Sequence, residues 1–169
     1  MRKSGLAFHC HHDILMEYVY DYNERVDFIK EYKPPEEVGL RLRLFKMIPY
    51  DKVPKKGLDA YLKAFAAYDK AANALDKAYG ALQKEINSFE KAKDAYPKKR
   101  KAHDKAWHAH LKACSAYFKA EYACARAEDA CLKARDAYLR QNEKALLKLH
   151  SELCPNCPWD GKTIFPDGR

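Results

Sequence analysis

Glycine makes up only six of the 169 residues, and nowhere do the six gather into a loop that could cradle a phosphate. The chain also has no HExxH pair and no nucleophile motif, so the common routes to nucleotide, zinc-protease and covalent hydrolase chemistry have no sequence support. Long apolar runs are missing as well. No stretch approaches the length of a membrane span, which argues against a membrane role. The opening GLAF is cut short by His9 before it could serve as a signal peptide, so a reducing, cytosolic setting is expected. In that setting the six cysteines read as thiols rather than three disulfides.

What the chain does have is a repeat. Residues 60–143 divide into twelve seven-residue units with no insertion or deletion, running AYLKAFA, AYDKAAN, ALDKAYG and onward to AYLRQNE. The first position is Ala in every unit except at Ser88, the fifth is Ala in nine, the second is most often Tyr, and the fourth is always Lys or Arg. A strict seven-residue period implies helices wound into a left-handed coiled coil. At about 100° per residue the first, fifth and second positions form one apolar arc, which is expected to be the seam. Ala at two of those positions would let the backbones approach to near the lower end of the roughly 8–10 Å interaxial range. The charge is segregated too: the net +8 of the whole chain falls on the repeat, while the two ends are balanced. A basic rod suits a polyanion or an acidic partner, although a solvated face explains lysines equally well.

Pro97 interrupts the repeat. Proline lacks an amide proton and clashes with the preceding turn, so either the chain reverses near residues 94–98 into an antiparallel hairpin, or one long kinked helix dimerises. Arm lengths favour the monomeric hairpin over the homodimer. The second arm overshoots the first, and beyond Tyr138 the Ala-Tyr pattern gives way to Leu139, Leu146, Leu147, Leu149 and Leu153, as packing against an N-terminal module would require.

That module is expected over residues 1–50, followed by a linker at 51–57, the coiled coil at 58–153 and a Cys-containing tail at 154–169. Residues 5–20 read as two short strands, with a helix from Asp13 as the alternative. Asp21 or Asn23 can cap a helix that Pro34 stops. Pro35, Glu36 and Glu37 open another, whose apolar residues extend through Phe45 to Met47. The fold class is therefore mainly α: a small α+β N-terminal module and a long Ala-rich antiparallel coiled-coil hairpin.

The most specific short motif is the tail, HSELCPNCPWDG from His150. A Cys-Pro-x-Cys knuckle lets two thiolates grip one ion, and sulfur donors favour zinc. Cys154 and Cys157 supply two ligands of a structural site, and His150 with His9, His11 or their neighbours Cys10 and His12 could supply the others, stapling the chain's two ends. His110 with Cys114 forms a second, poorer pair on the repeat. A metal-dependent hydrolase built on His9, His11, His12, Asp13 and Glu17 is the third functional reading. Ahead of it stands nucleic-acid binding through Lys98, Lys99, Arg100 and Lys101 with Trp107, which combine phosphate-neutralising charge with a stacking ring.

The N-terminal GLAFHCHHDILMEYVYDYNERVDFIKEYKPPEE with LRLRLF, the AYDKA-type heptads and the closing CPNCPWDGKTIFP together resemble a group of small bacteriophage and prophage proteins. The resemblance spans the whole chain and implies a viral product acting in a bacterial cytoplasm, with repeat number free to vary; it carries no activity over. The leading expectation is a non-enzymatic interaction protein that offers a rigid basic hairpin to a protein complex, either a virion component or a host defence complex that it inhibits.

Overall fold

The computed structural model describes residues 4–94 and 99–166. The predicted hairpin forms at the N-terminus: β1 (Gly5–Phe8) pairs antiparallel with β2 (Met16–Val19), Leu6 opposite Tyr18 and Phe8 opposite Met16. Helix α1 (Tyr22–Tyr32) follows, and the Asp21 carboxylate accepts from the amides of Asn23 and Glu24. Lys33 ends it in an extended conformation, as the residue before Pro34 must. Helix α2 (Pro35–Leu44) has proline in its first turn beside Glu36 and Glu37, and Arg41 and Arg43 in its last, so both ends oppose the helix dipole.

Phe45 and Met47 do not continue that helix, contrary to the sequence reading. The chain turns at Phe45 into β3 (Lys46–Met47), which lies against the free edge of β1 and gives the sheet the order β2-β1-β3. Tertiary packing overrides the three-and-four spacing here. Phe45 is needed in the core with Ala7, Cys10, Val19 and Ile29, where its ring stacks on Tyr22 at 5.0 Å. The stretch read as a linker contains a 3-10 turn, Tyr50–Lys52, and the buried Val53.

Helices α3 (Leu58–Asp94) and α4 (Arg100–Leu153) pack together as the expected hairpin. Tyr61 faces Tyr138, Tyr79 faces Tyr117 and Phe89 faces Trp107, so partners on α4 descend as those on α3 ascend. This is antiparallel pairing within one chain. Of the turn predicted at residues 94–98, Asp94 ends α3, and residues 95–98, with Pro97, lie outside the described residues.

The seam differs from the expected arc. Second-position side chains and fifth-position alanines line it, whereas first-position alanines such as Ala60, Ala74, Ala116 and Ala130 are exposed. Seam positions must alternate at spacings of three and four, which the second and fifth positions satisfy. The first position stands about 70° from the seam's midline on a regular helix, and a methyl group there does not reach across. Longer sixth-position side chains at the same displacement on the other side, Phe65 and Ile86, are half-buried.

The chain forms two compact units: Lys56–Gln141, the hairpin, and Met1–Lys55 together with Asn142–Arg169. In the latter, Leu146, Leu149 and His150 are buried along one face of the end of α4. Leu147, expected with them, is exposed because one residue turns the helix by about 100°.

Candidate metal centre

The last turn of α4 begins the site. His150 and Cys154 stand four residues apart, so they share a helix face, and the Cys154 amide still donates to the His150 carbonyl at 2.8 Å. Pro155 then bars further helix. Asn156 takes the left-handed conformation at φ 55°, folding the chain so that the Cys157 amide donates to the Cys154 carbonyl at 3.2 Å. The Trp159 amide donates to the Cys157 sulfur. This is the knuckle that the Cys-Pro-Asn-Cys spacing implied.

From the other end of the chain, β1 ends at Phe8, and His9 also adopts positive φ, at 52°. Its amide donates to the Leu15 carbonyl at 3.1 Å, which closes the loop between β1 and β2. The His9 ring then lies 2.8 Å from the His150 ring, Nε2 to Nε2, and 3.4 Å from the Cys157 sulfur. Ligand atoms of His9, His150 and Cys154 all lie within 4.8 Å of one another, and all three residues are buried. Aromatic rings wall the group: Trp159 against His9 at 5.3 Å and Phe8 edge-on to His150 at 5.2 Å.

The tail holds this arrangement from below. Asp160 accepts from the amides of Lys162 and Thr163, both at 2.8 Å, and the Ile164 amide donates to the His12 carbonyl at 3.0 Å. Ile164 and Phe165 pack with Leu44 in a second core cluster, joined by Cys157 and Trp159. Arg41, buried and ion-paired with Glu37 at 2.6 Å, spreads over the Phe165 ring.

Burial, with help from His150, lowers the His9 pKa to about 4, and burial also lowers that of His150. Both rings are therefore neutral at pH 7, one donating to the other, and neutral imidazole is the form that binds metal. Burial, reinforced by Cys157, raises the Cys154 thiol to about 11, and burial raises Cys157 as well. A divalent ion reverses that balance, because a coordinating thiol gives up its proton.

Two of the donor separations, both from His9, can be compared with those around a tetrahedral ion. Zinc bonds of about 2.0–2.1 Å to nitrogen and about 2.3 Å to sulfur imply edges of roughly 3.3 Å between nitrogens and 3.6 Å between nitrogen and sulfur. The observed 2.8 and 3.4 Å differ from those edges by a few tenths of an ångström, in the sense of donors that close up on one another. A buried His9, His150 and Cys154 group could thus hold a metal ion. His9 Nδ1 has no hydrogen-bond partner among the described residues.

Of the other sequence candidates, His11 turns away from this group and bonds Glu17 at 2.5 Å, forming a separate cluster with Cys10. His12 is exposed beside Asp13. His110 and Cys114 do meet, Nε2 to Sγ at 3.6 Å, with the imidazole stacked on Phe89. In the basic patch, Lys99, Arg100 and Lys101 are exposed, and Lys98 lies outside the described residues. Trp107 stands against Phe89 at 5.3 Å and His110 at 6.0 Å. Reasoning from sequence did not bring in Phe8 or the Leu44 carbonyl, which lies 3.7 Å from the Cys154 sulfur; only the fold brings them there. No family model, no curated protein and no solved structure matches this chain.

Proposed function

We propose that this chain is a non-enzymatic interaction protein: a module stapled by one structural zinc ion, carrying an Ala-rich helical hairpin that engages a protein partner. The observation that carries the reading is the donor set. His9, His150 and Cys154, from the two ends of the chain, are buried with their ligand atoms within 4.8 Å of one another, and the Cys157 sulfur lies 3.4 Å from His9. Four protein ligands leave zinc no open position for water or substrate, which is the hallmark of a structural rather than a catalytic site. His150, Cys154, Cys157 and His9 would hold the ion, and its contribution is to join the tail to the sheet.

The hydrolase reading has less support, because His9, His11 and His12 point to three different surroundings. The resemblance to phage proteins supports a virion component or a host complex as the partner. Nucleic-acid binding by Lys99, Arg100 and Lys101 is the second reading, favoured by their exposure at the start of α4. Trp107 is less suited to base stacking, since one of its contacts is already Phe89.

Elemental analysis of the purified protein tests the main reading. One zinc per chain is expected, lost on Cys154→Ser, with no phosphodiester or ester hydrolysis by the loaded protein. Zinc-dependent turnover would overturn the non-enzymatic assignment. A metal-free protein whose melting temperature ignores added zinc would remove the staple.

A further inference from the structure

The two helices of the hairpin are unlike on their outer faces. On α3 the third position is Leu62 in the first heptad and then Asp69, Asp76, Gln83 and Glu90. On α4 the same column carries Leu111, Phe118, Ala125 and Leu132, and Tyr122 stands four residues after Phe118. These are not seam residues. Phe118 is 63% exposed and Tyr122 68%, with Leu111 and Leu132 at 46% and 42%. Third and seventh positions alternate at spacings of four and three, so the stripe follows the spacing of a second coiled-coil seam on α4 over about 32 Å from Leu111 to Leu132, with Ser115 and Asp129 as its polar members.

The charge beside it selects the occupant. Along one border run the fourth-position cations Lys105, Lys112, Lys119, Arg126 and Lys133, all exposed. The Arg126 guanidinium leans over the Tyr122 ring at 5.9 Å, so the cationic row and the apolar stripe touch. Lys133 is held by Asp129 at 2.7 Å. A second copy of the chain is a poor occupant: antiparallel pairing would set this row against itself, and parallel pairing would stack Asp129 on Asp129 and Asp136 on Asp136. Nucleic acid would meet the cations but leave Leu111, Phe118 and Leu132 in water. An anionic membrane would meet Glu121, Glu128 and Asp129 as well as the cations, whereas a helix can set its acids against the Lys row alone.

We infer that the outer face of α4 is a docking seam for an amphipathic helix of another protein, with its apolar stripe on Leu111, Phe118, Tyr122 and Leu132 and acidic residues against the Lys105–Lys133 row. The inference rests on the hairpin being the interacting part of the molecule, and it is independent of the zinc staple.

The probe is a synthetic helix of about four heptads with Leu along its seam, Glu on the flank that meets the Lys row and Gln on the other. Titrated into the full-length protein at low salt, it is expected to bind in the micromolar range. Phe118→Glu should weaken that binding at least about tenfold, as removal of a central aromatic anchor does. Because Phe118 is exposed, the variant should keep its helical signal. Reversing Lys112 and Lys119 to Glu should transfer preference to a Lys-flanked version of the peptide.

Lack of binding at about 100 µM peptide, or equal binding by the Phe118 variant, overturns the docking seam. Tighter capture of phosphatidylserine vesicles or of duplex oligonucleotide, insensitive to Phe118→Glu, assigns the face to another occupant, as does a dimer of the chain that this substitution dissolves. Zinc content is read on the same samples, so a failed docking seam and a failed staple are told apart.

Discussion

The sheet-containing unit and the hairpin bury their side chains in opposite ways. In the first, nearly every buried residue is a different one in a different role: Phe45 stacks on Tyr22, Arg41 is ion-paired over the Phe165 ring, and His9 meets His150. In the hairpin the same few side chains recur, and second-position rings, Leu and Cys alternate with fifth-position residues that are mostly alanine along two helices. The contrast teaches where each unit is vulnerable. A repeat distributes its stability along its length, so that each heptad depends mainly on its neighbours. The small unit has no spare copy of anything.

The largest effect should therefore come from the proposed zinc centre. Chelation, or Cys154→Ser, is expected to unfold the small unit while the hairpin keeps most of its helical signal, since structural zinc supplies free energy comparable with a domain's whole stability. His9→Ala combined with Cys154→Ser should cost little more than either alone, because both remove one ion. Calorimetry of the four proteins checks this, and additive losses would break the comparison at its strongest point.

Next is the core. Phe45→Ala should destabilise by about 3–5 kcal/mol, measured by urea denaturation. Heptad deletions probe the other unit. Removing residues 67–73 alone puts the arms out of step. Removing 67–73 together with 123–129, which face them in the antiparallel pairing, should restore most of the lost thermal stability. If the paired deletion is no better than the single one, the hairpin is not a sum of exchangeable units.

Acid offers a gentler test. In the metal-free protein His9 titrates near 4 against an ordinary 6.5. Between those values the unfolded chain binds more protons than the folded one. Stability is thus fully present above about 6.5 and falls as the pH drops towards 4. Melting temperatures of the metal-free protein should decline across that window, and His9→Gln should flatten the decline. The smallest effects distinguish the alanine columns: Ala116→Ser, on the exposed first position, should change stability by less than about 0.5 kcal/mol. Ala120→Leu, in the seam, should cost about 1–3 kcal/mol by overpacking.

Much was legible because it is local. The seven-residue period is a property of the helix itself, Asp21 and Pro35 mark helix starts by their own chemistry, and the spacing of His150, Cys154 and Cys157 brings them to one helix end. Tertiary structure decided whatever depends on a distant partner. Three columns of the repeat are apolar, and only the packing of α3 against α4 selects the second and fifth as the seam and leaves most of the first in water. Phe45 and Met47 carry a helical spacing but serve the sheet. Three histidines lie within four residues near the N-terminus, and the left-handed turn at His9 is what brings that one to His150 while His11 goes to Glu17. Periodicity and capping are settled within a turn or two of chain, whereas the facing of a side chain is settled by what it must be buried against.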